Sequence, residues 1–422
     1  MSSEIYIGDK NGIARKYKSM YIGDKNGIAR KFGEMYLGKS NLAKPVSPAD
    51  SYSLWILGIG RTFTSGDNFK TYTDTSTITN VNLLASSACY YNGYFYAINT
   101  ASGRDSIAYN GSPKICRSKD GITWTNIGNK LTFDFISGNS LQNVHLNKGP
   151  SYFIITAREV DSGGTYNTRS IIILKSSSLD LTTATWSAQK FSVNDHFSRN
   201  SKLSTNPMIE AGDYLVIPMS YGYAYAPKST GTFKLVADTN YVNPVGNSIV
   251  YRDDGYCYST YNKYFYKFKV GDTPDKFTKT EITLNDTNSS EIFKTDNLTY
   301  FKNKFYLIGH GGFSGSTAQK TAYIYELNTT ENKAYKKKQI TQMGSAGVAE
   351  NPLLSLNVSK NKQKLICLTF TYNSSNYDTS FKLVTTSDGA TFDEKTIPFT
   401  RVSGSYVEST HGKGTIAFGD KF

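Results

Sequence analysis

The 422-residue chain carries 47 Lys and Arg against 34 Asp and Glu, a formal charge of +13, yet only 19% of its residues are charged, below the roughly 25% usual in globular proteins. Tyr and Phe, 32 and 23 in number, raise the aromatic share to 14%. This composition excludes a disordered chain and a helical bundle, and points to strands joined by many polar turns.

The start, Met1 to Gly8, has neither a basic segment nor an apolar core, so no signal peptide is expected. No apolar run approaches the ~20 residues of a membrane span, so no membrane insertion is expected. Cys89, Cys116, Cys257 and Cys367 are scattered singly and His numbers only four. They read as reduced, mostly buried thiols, and neither a metal site nor a cofactor is expected. The excess charge comes mainly from dispersed Lys, densest at Lys336, Lys337 and Lys338. It fits teichoic acids and acidic capsules as well as nucleic acid, and no nucleic-acid partner is expected.

Residues 1–45 are a tandem repeat. The segment Tyr6 to Lys16 recurs unchanged as Tyr21 to Lys31, and a decayed copy runs from Tyr36 to Lys44. Asn11-Gly12 and Asn26-Gly27 are two-residue hairpin signals, because both central positions of a type I′ turn want positive φ. Each unit reads as a small hairpin with Tyr-Ile on one arm and Ile-Ala on the other, and such a hairpin needs a partner surface. The residues assigned to attachment are Tyr6, Ile7, Ile13, Tyr21, Ile22, Ile28, Tyr36 and Leu37. Pro45 to Pro48 break the pattern, placing a linker at 46–50.

A second, longer period covers 51–422. Its clearest markers are Ser118 to Trp124 (S-K-D-G-I-T-W) and Ser387 to Phe392 (S-D-G-A-T-F), turns in which the Asp bonds nearby backbone N–H groups and the Gly supplies positive φ. Trp124 and Phe392 are expected to pack beneath them. Weaker turns of the same shape give closing aromatics at Phe69, Trp124, Trp186, Phe233, Phe277, Tyr335 and Phe392. Seven such anchors average about 53 residues apiece, within the range of four-stranded blades. Hairpins rich in aromatic and β-branched residues precede them, at 89–96, 145–155, 209–217, 251–257, 298–307 and 358–366. The first anchor lacks its hairpin and the last hairpin, 406–418, lacks its anchor. Joining the two ends closes a ring and removes open edges. The expectation is all-β, a seven-bladed propeller of four-stranded antiparallel blades, preceded by the hairpin repeats.

In this order the strand 1–2 and 3–4 turns share one face of the disc, and the 2–3 loops share the other. Those loops are rich in Tyr, Gly, Ser and Asn, a binding-loop composition. Tyr rings can also underlie the apolar face of a sugar. The candidate ligand-binding residues are Arg104, Tyr109, Arg158, Tyr166, Arg169, Tyr221, Tyr223, Tyr261, His310, Phe313, Tyr372 and Tyr377. Arg is scarce, ten against 37 Lys, so Arg104, Arg158, Arg169, Arg199 and Arg252 near loops suit carboxylate or phosphate recognition. Possible carboxylates beside them are Glu159, Asp161, Asp195, Glu210 and Glu350. Local pairs such as Arg104 with Asp105 and Arg158 with Glu159 are the structural alternative.

The two turn motifs resemble the "Asp box" of sialidase-type propellers. The sialidase pattern also implies an arginine triad, a Tyr–Glu pair, an acid Asp and an early Arg-Ile-Pro or Arg-Leu-Pro strand. This chain lacks the last, with Arg61 the nearest candidate, so catalysis is not expected and no catalytic residue is assigned. The N-terminal repeat resembles a short tandem motif of tail and baseplate proteins of phages infecting Gram-positive bacteria, and of phage-tail-like bacteriocins. Together the resemblances imply a tail fibre or receptor-binding protein of the virion tail, assembled in the host cytoplasm. Residues 1–45 would bind other tail or baseplate proteins and form a homo-oligomer, a trimer by resemblance. Residues 51–422 would recognise a host-surface polysaccharide or protein. A glycan-degrading tail enzyme and a non-binding structural baseplate protein are the alternatives.

Overall fold

The computed structural model describes residues 5–8, 14–17, 21–23, 29–31, 53–57, 61–66, 73–75, 81, 83–84, 88–100, 106–108, 111, 113–161, 168–192, 208–219, 222–237, 248–285, 293–311, 321–342, 355–359, 361–372, 379–399 and 415–418. The chain divides into two compact units, Met1–Val46 and Ser47–Phe422.

In the first unit β1 (Ile5–Gly8) pairs antiparallel with β2 (Ala14–Tyr17), and β3 (Tyr21–Gly23) with β4 (Ala29–Lys31). The identical repeats thus give hairpins in the same register. Gly8 opposite Ala14 and Gly23 opposite Ala29 leave five residues between the arms. The two-residue Asn-Gly connection read from the sequence would need the register shifted by one. Tyr6, Ile7, Tyr21 and Ile22 lie in these ladders. Ile13, Ile28, Tyr36 and Leu37 fall outside the described residues.

The second unit opens with β5 (Ser53–Leu57), β6 (Arg61–Ser65) and β7 (Thr73–Thr75). The first blade is β8 (Cys89–Tyr91), β9 (Tyr94–Asn99), β11 (Lys114–Ser118) and β12 (Thr125–Ile127), while β10 (Ser106–Ala108) leaves it to join the next. The second blade is β13 (Ser140–Lys148), β14 (Phe153–Val160), β15 (Thr168–Ser176) and β16 (Trp186–Ser192). The third is β17 (Ile209–Ala211), β18 (Tyr214–Met219), β19 (Gly222–Pro227) and β20 (Lys234–Ala237). The fourth is β21 (Ile249–Tyr251), β22 (Cys257–Tyr261), β23 (Tyr264–Phe268) and β24 (Thr278–Glu281). The fifth, edged by the short parallel β25 (Thr283–Leu284), is β26 (Phe293–Phe301), β27 (Lys304–Gly311), β28 (Thr321–Asn328) and β29 (Lys333–Gln342). The sixth is β30 (Ser355–Val358), β31 (Leu365–Tyr372), β32 (Thr379–Thr386) and β33 (Asp393–Phe399).

Finally β34 (Thr415–Phe418) pairs antiparallel with β5, making the composite sheet β34-β5-β6-β7. The expected seven-bladed ring therefore appears as six blades of consecutive strands and one composite sheet joining the chain's two ends. That sheet takes one strand from the C-terminal region and three from the N-terminal one. The fold is an all-β propeller.

Adjacent blades bury one another. Tyr96 and Ile98 of the first blade pack with Phe153, Ile155 and Ile172 of the second. Ile154 and Ile173 meet Leu215 and Ile217 of the third, and Tyr223 and Val236 meet Tyr266 and Phe268 of the fourth. Tyr258 and Phe265 then meet Leu298 and Leu307 of the fifth, whose Tyr306 and Ile308 meet Cys367 and Val384 of the sixth. Alternation along each strand serves both neighbours: in β14, Ile155 faces backward and Ile154 forward. Each fully buried aliphatic or aromatic side chain contributes about 1.5–3 kcal/mol.

The turns follow the residues. Asn92 and Gly93, at φ 47° and 81°, connect β8 to β9 between paired Tyr91 and Tyr94. Asp120 Oδ1 accepts N–H bonds from Ile122 (2.8 Å) and Thr123 (2.7 Å), and buried Trp124 donates its indole N–H to the Gly121 carbonyl at 3.1 Å. Asp388 does the same for Ala390 and Thr391, both at 2.8 Å. Phe233 and Phe277 are buried immediately before their outer strands, and Phe392 is half-buried there. At Tyr335 the pattern slips by one, because Ala334 takes the buried position. Phe69 lies outside the described residues. Three cysteines are buried and Cys89 is half-buried, all as free thiols.

Gly128, at φ +63°, shows how closely blades approach: a Cβ there would sit 2.4 Å from the backbone oxygen of Leu181 in the second blade. Gly255, at φ +83°, has open space around it. Gly128→Ala is therefore expected to cost about 2–3 kcal/mol and Gly255→Ala about 1 kcal/mol. Thermal denaturation of the two variants checks the order.

Candidate functional site

The antiparallel order places the 1–2 and 3–4 turns at one end of each blade and the 2–3 connections at the other. At the 2–3 end of the second blade the described residues gather a polar cluster. It comprises Gln142 at the start of β13, Arg158 and Glu159 at the end of β14, Asp161 just beyond, and Arg169 and Ser170 at the start of β15. β10, from the preceding blade's 2–3 connection, pairs with β13 through Ser106–Gln142, Ile107–Leu141 and Ala108–Ser140. The neighbouring connection is thereby fastened to the inner edge of this blade. Arg104 and Tyr109 flank β10 and lie outside the described residues.

Arg158 and Glu159, adjacent on a strand, point to opposite faces, so the local Arg158–Glu159 pair does not form. Arg158 is 4% exposed and its Nη2 donates to Gln142 Oε1 at 2.7 Å. Burial pulls its guanidinium down to about 10. The expected ligand contact at Arg158 is thus replaced by an interior one.

Glu159 is fully buried. Its Oε1 accepts from the Ile136 N–H (2.9 Å) and Asn139 Nδ2 (2.8 Å), and its Oε2 faces the Ser170 hydroxyl and Lys190 Nζ, the latter at 3.2 Å. Burial alone would raise this carboxyl, but the bonds from Ser170, Ile136, Asn139 and Lys190 outweigh it and hold it below the usual glutamate range. A general acid needs the opposite shift, so the geometry describes a clamp on the 128–139 connection.

Arg169 differs. Its side chain is 50% exposed and makes a 2.9 Å ion pair with Asp161, one strand-end away. Between them runs the 2–3 connection containing Tyr166, which lies outside the described residues. An exposed guanidinium beside a half-buried carboxylate offers donors to hydroxyls or anions arriving at this end.

The other sequence candidates divide. Tyr223 is fully buried between the third and fourth blades, where its hydroxyl donates to the Asp272 carbonyl (2.7 Å) and accepts from the Gly271 N–H (2.9 Å). It is an inter-blade strut, and the ligand role assigned to it is corrected. Tyr261 ends β22, half-buried against the same core, and pairs with Tyr264 across a tight turn with Asn262 at φ 52°. Ser259 and Thr260, just before it, are strand residues as well. His310 belongs to β27 and Tyr372 to β31. Tyr221, Phe313 and Tyr377 lie outside the described residues, as do Arg199, Asp195 and Glu350. Arg252 sits at the opposite, turn end, beside Asp254 at 3.6 Å and over the Tyr300 ring at 4.8 Å. Glu210 pairs with Lys228 at 2.6 Å.

Among the described residues, no group of three His, Cys, Asp or Glu could hold a metal ion, and no helix is long and apolar enough to cross a membrane. The cation–tyrosine clusters at the turn end were not anticipated. Their signal was a Tyr-x-Tyr spacing around the start of strand 2 against a cation-x-cation spacing around the end of strand 3.

No family model matches the chain, and no curated protein matches it. Solved structures do. A periplasmic gluconolactonase of Pseudomonas aeruginosa is similar at 9% identity over 87% of this chain and 99% of that chain, with a TM-score of 0.49. A Trypanosoma rangeli sialidase in complex with sialic acid is similar at 12% identity over 80% of this chain and 59% of that chain, TM-score 0.39. A GH43 endo-arabinanase of Bacillus licheniformis is similar at 13% identity over 76% and 96%, TM-score 0.31. These are distant likenesses of shape, and the propeller assignment stands on this chain's own strand ladders.

The Glu159 clamp has a pH signature. Its folded pKa lies below the unfolded value of about 4.3, so its stabilisation is present above that value and is lost as pH falls through the folded one. Glu159→Gln is expected to lower stability by about 2–4 kcal/mol at pH 7. Urea titrations should show the gap narrowing below about pH 4.

Proposed function

We propose that this chain is a receptor-binding protein of a phage tail or phage-tail-like bacteriocin. Residues 1–45 attach it to the particle, and the 2–3 face of the propeller at 51–422 recognises a host-surface glycan or protein. The observation that carries the proposal is the repeat: two identical segments, each a two-stranded hairpin in its own ladder, within a unit separate from the propeller. A two-stranded ladder is marginal alone in water, so the repeats are suited to a partner surface or to sister chains, a trimer by resemblance. Assembly in the host cytoplasm and release with the particle complete the picture.

The likeness to glycan-active proteins, a sialidase and an arabinanase among them, suits a carbohydrate-related role and keeps a glycan-degrading tail enzyme as the second reading. Recognition is favoured, because the buried carboxyl at this end, Glu159, is engaged by the 128–139 connection and held ionised, unlike a general acid.

The full chain should sediment with Gram-positive host cells and release no reducing sugar from their envelopes. Arg169→Ala should weaken that binding about 5–20-fold, the loss of one charge-assisted contact, with an unchanged melting curve. Sugar release would select the enzyme reading, and failure to bind any host envelope would contradict recognition.

A further inference from the structure

The turn end of the propeller carries a feature independent of the 2–3 face. In the first blade Tyr94 and Tyr96 lie two apart on β9, with Arg117 opposite Tyr96 on β11 and Lys119 two residues further on. In the fourth blade the same positions hold Tyr256 and Tyr258, with Lys267 opposite Tyr258 and Lys269 two further on. The cations cover equivalent rings. Arg117 and Lys119 stand 4.5 and 5.3 Å from the Tyr94 centroid, and Lys267 and Lys269 stand 3.9 and 5.3 Å from that of Tyr256.

Each cluster gains a third cation at the mouth of the cleft to the next blade. Lys148 of the second blade stands 5.5 Å over Tyr91 of the first. In the other cleft Arg252 stands 5.6 Å over Tyr258 and 4.8 Å over Tyr300 of the fifth blade.

Acids are few at the first mouth, whereas the fourth blade's 3–4 turn also carries Asp272, whose carboxylate accepts the Lys269 N–H, and exposed Asp275. Asp120 holds its own turn together, and exposed Asp180 lies within electrostatic reach of Arg117. At the fourth blade Asp254 pairs with Arg252 and accepts the Tyr258 hydroxyl, with exposed Asp253 beside it. The intervening clefts are different among the described residues: Lys228 is neutralised by Glu210 and Lys175 donates to the Thr230 carbonyl.

We propose that the turn-end mouths between blades one and two, and between blades four and five, are anion-binding sites for a polymer of repeating phosphodiesters that carries no bases. Cations already occupy the tyrosine faces, which disfavours stacking of bases or sugars on the rings. What remains outward is charge: a planar guanidinium and two ammonium groups at each mouth, suited to phosphate oxygens. Two register-equivalent mouths on one disc let a single polymer engage both, gaining avidity through effective concentration. The first mouth, with fewer uncommitted acids, is the stronger.

The test is binding of the full chain to poly(glycerol phosphate), with glycerol 3-phosphate, neutral dextran and single-stranded DNA of equal charge as comparisons. The polymer is expected to bind at least about tenfold more tightly than the monomer and to weaken as salt rises. Arg117→Glu with Lys119→Glu should lower affinity about tenfold or more, and adding Lys267→Glu with Lys269→Glu about tenfold further. Lys114→Glu with Lys130→Glu makes the same charge change at exposed positions elsewhere on the first blade, and should shift affinity less than about threefold. Melting curves confirm that each variant folds, and the salt dependence of the native chain stands without them. Equal losses in both sets would reduce the effect to net charge and overturn the sites. Dextran binding as tight as the phosphate polymer, or tighter binding of DNA, would overturn the ligand class.

Discussion

Residues 53–57 and 415–418 are more than 350 positions apart, yet they form one antiparallel ladder, Thr415 opposite Ile56 through Phe418 opposite Ser53. On this pairing the rest depends. Without it β5 would present an open edge, a template for aggregation, and the inner position of that sheet would be vacant. With it, β34 lies beside β8 and the composite sheet joins the first blade. The closing contacts have the largest sequence separation in the unit, so their loop-closure entropy must be offset by the apolar interfaces between consecutive blades.

Much of this was legible in the sequence, where local chemistry dictates local geometry. Asn92-Gly93 and Gly121 needed positive φ and have it; the Asp120 and Asp388 turns needed a side-chain acceptor for backbone N–H groups, and the carboxylates supply it. The aromatic anchors succeeded where a large ring was required beneath a turn, and slipped at Tyr335, where small Ala334 fills the space. Register in the N-terminal hairpins differs by one from the two-residue Asn-Gly reading, which rested on turn preference alone.

The site was less legible, for a physical reason. A Tyr in a propeller serves equally as strut or ligand platform, and only the neighbouring blade decides. Tyr223 has all the marks of a binding-loop residue in sequence, yet Phe268 and the Gly271–Asp272 backbone enclose it. Arg158 and Glu159 look like a local ion pair, but strand alternation sends one toward Gln142 and the other toward Lys190. Among the described residues at that end, Arg169 stands out as an exposed guanidinium with a carboxylate partner. The cation–tyrosine clusters became visible only once register paired Arg117 with Tyr96 and Lys267 with Tyr258.

Ring closure is tested most directly by a crosslink across it. Trp55 and Ile416 are register partners, so the double variant Trp55→Cys, Ile416→Cys should form a disulfide under mild oxidation within a single chain. The crosslink should also raise the melting temperature relative to the reduced form. Failure of the two cysteines to bond within one chain, or a bond only between chains, would contradict a propeller closed by its own ends.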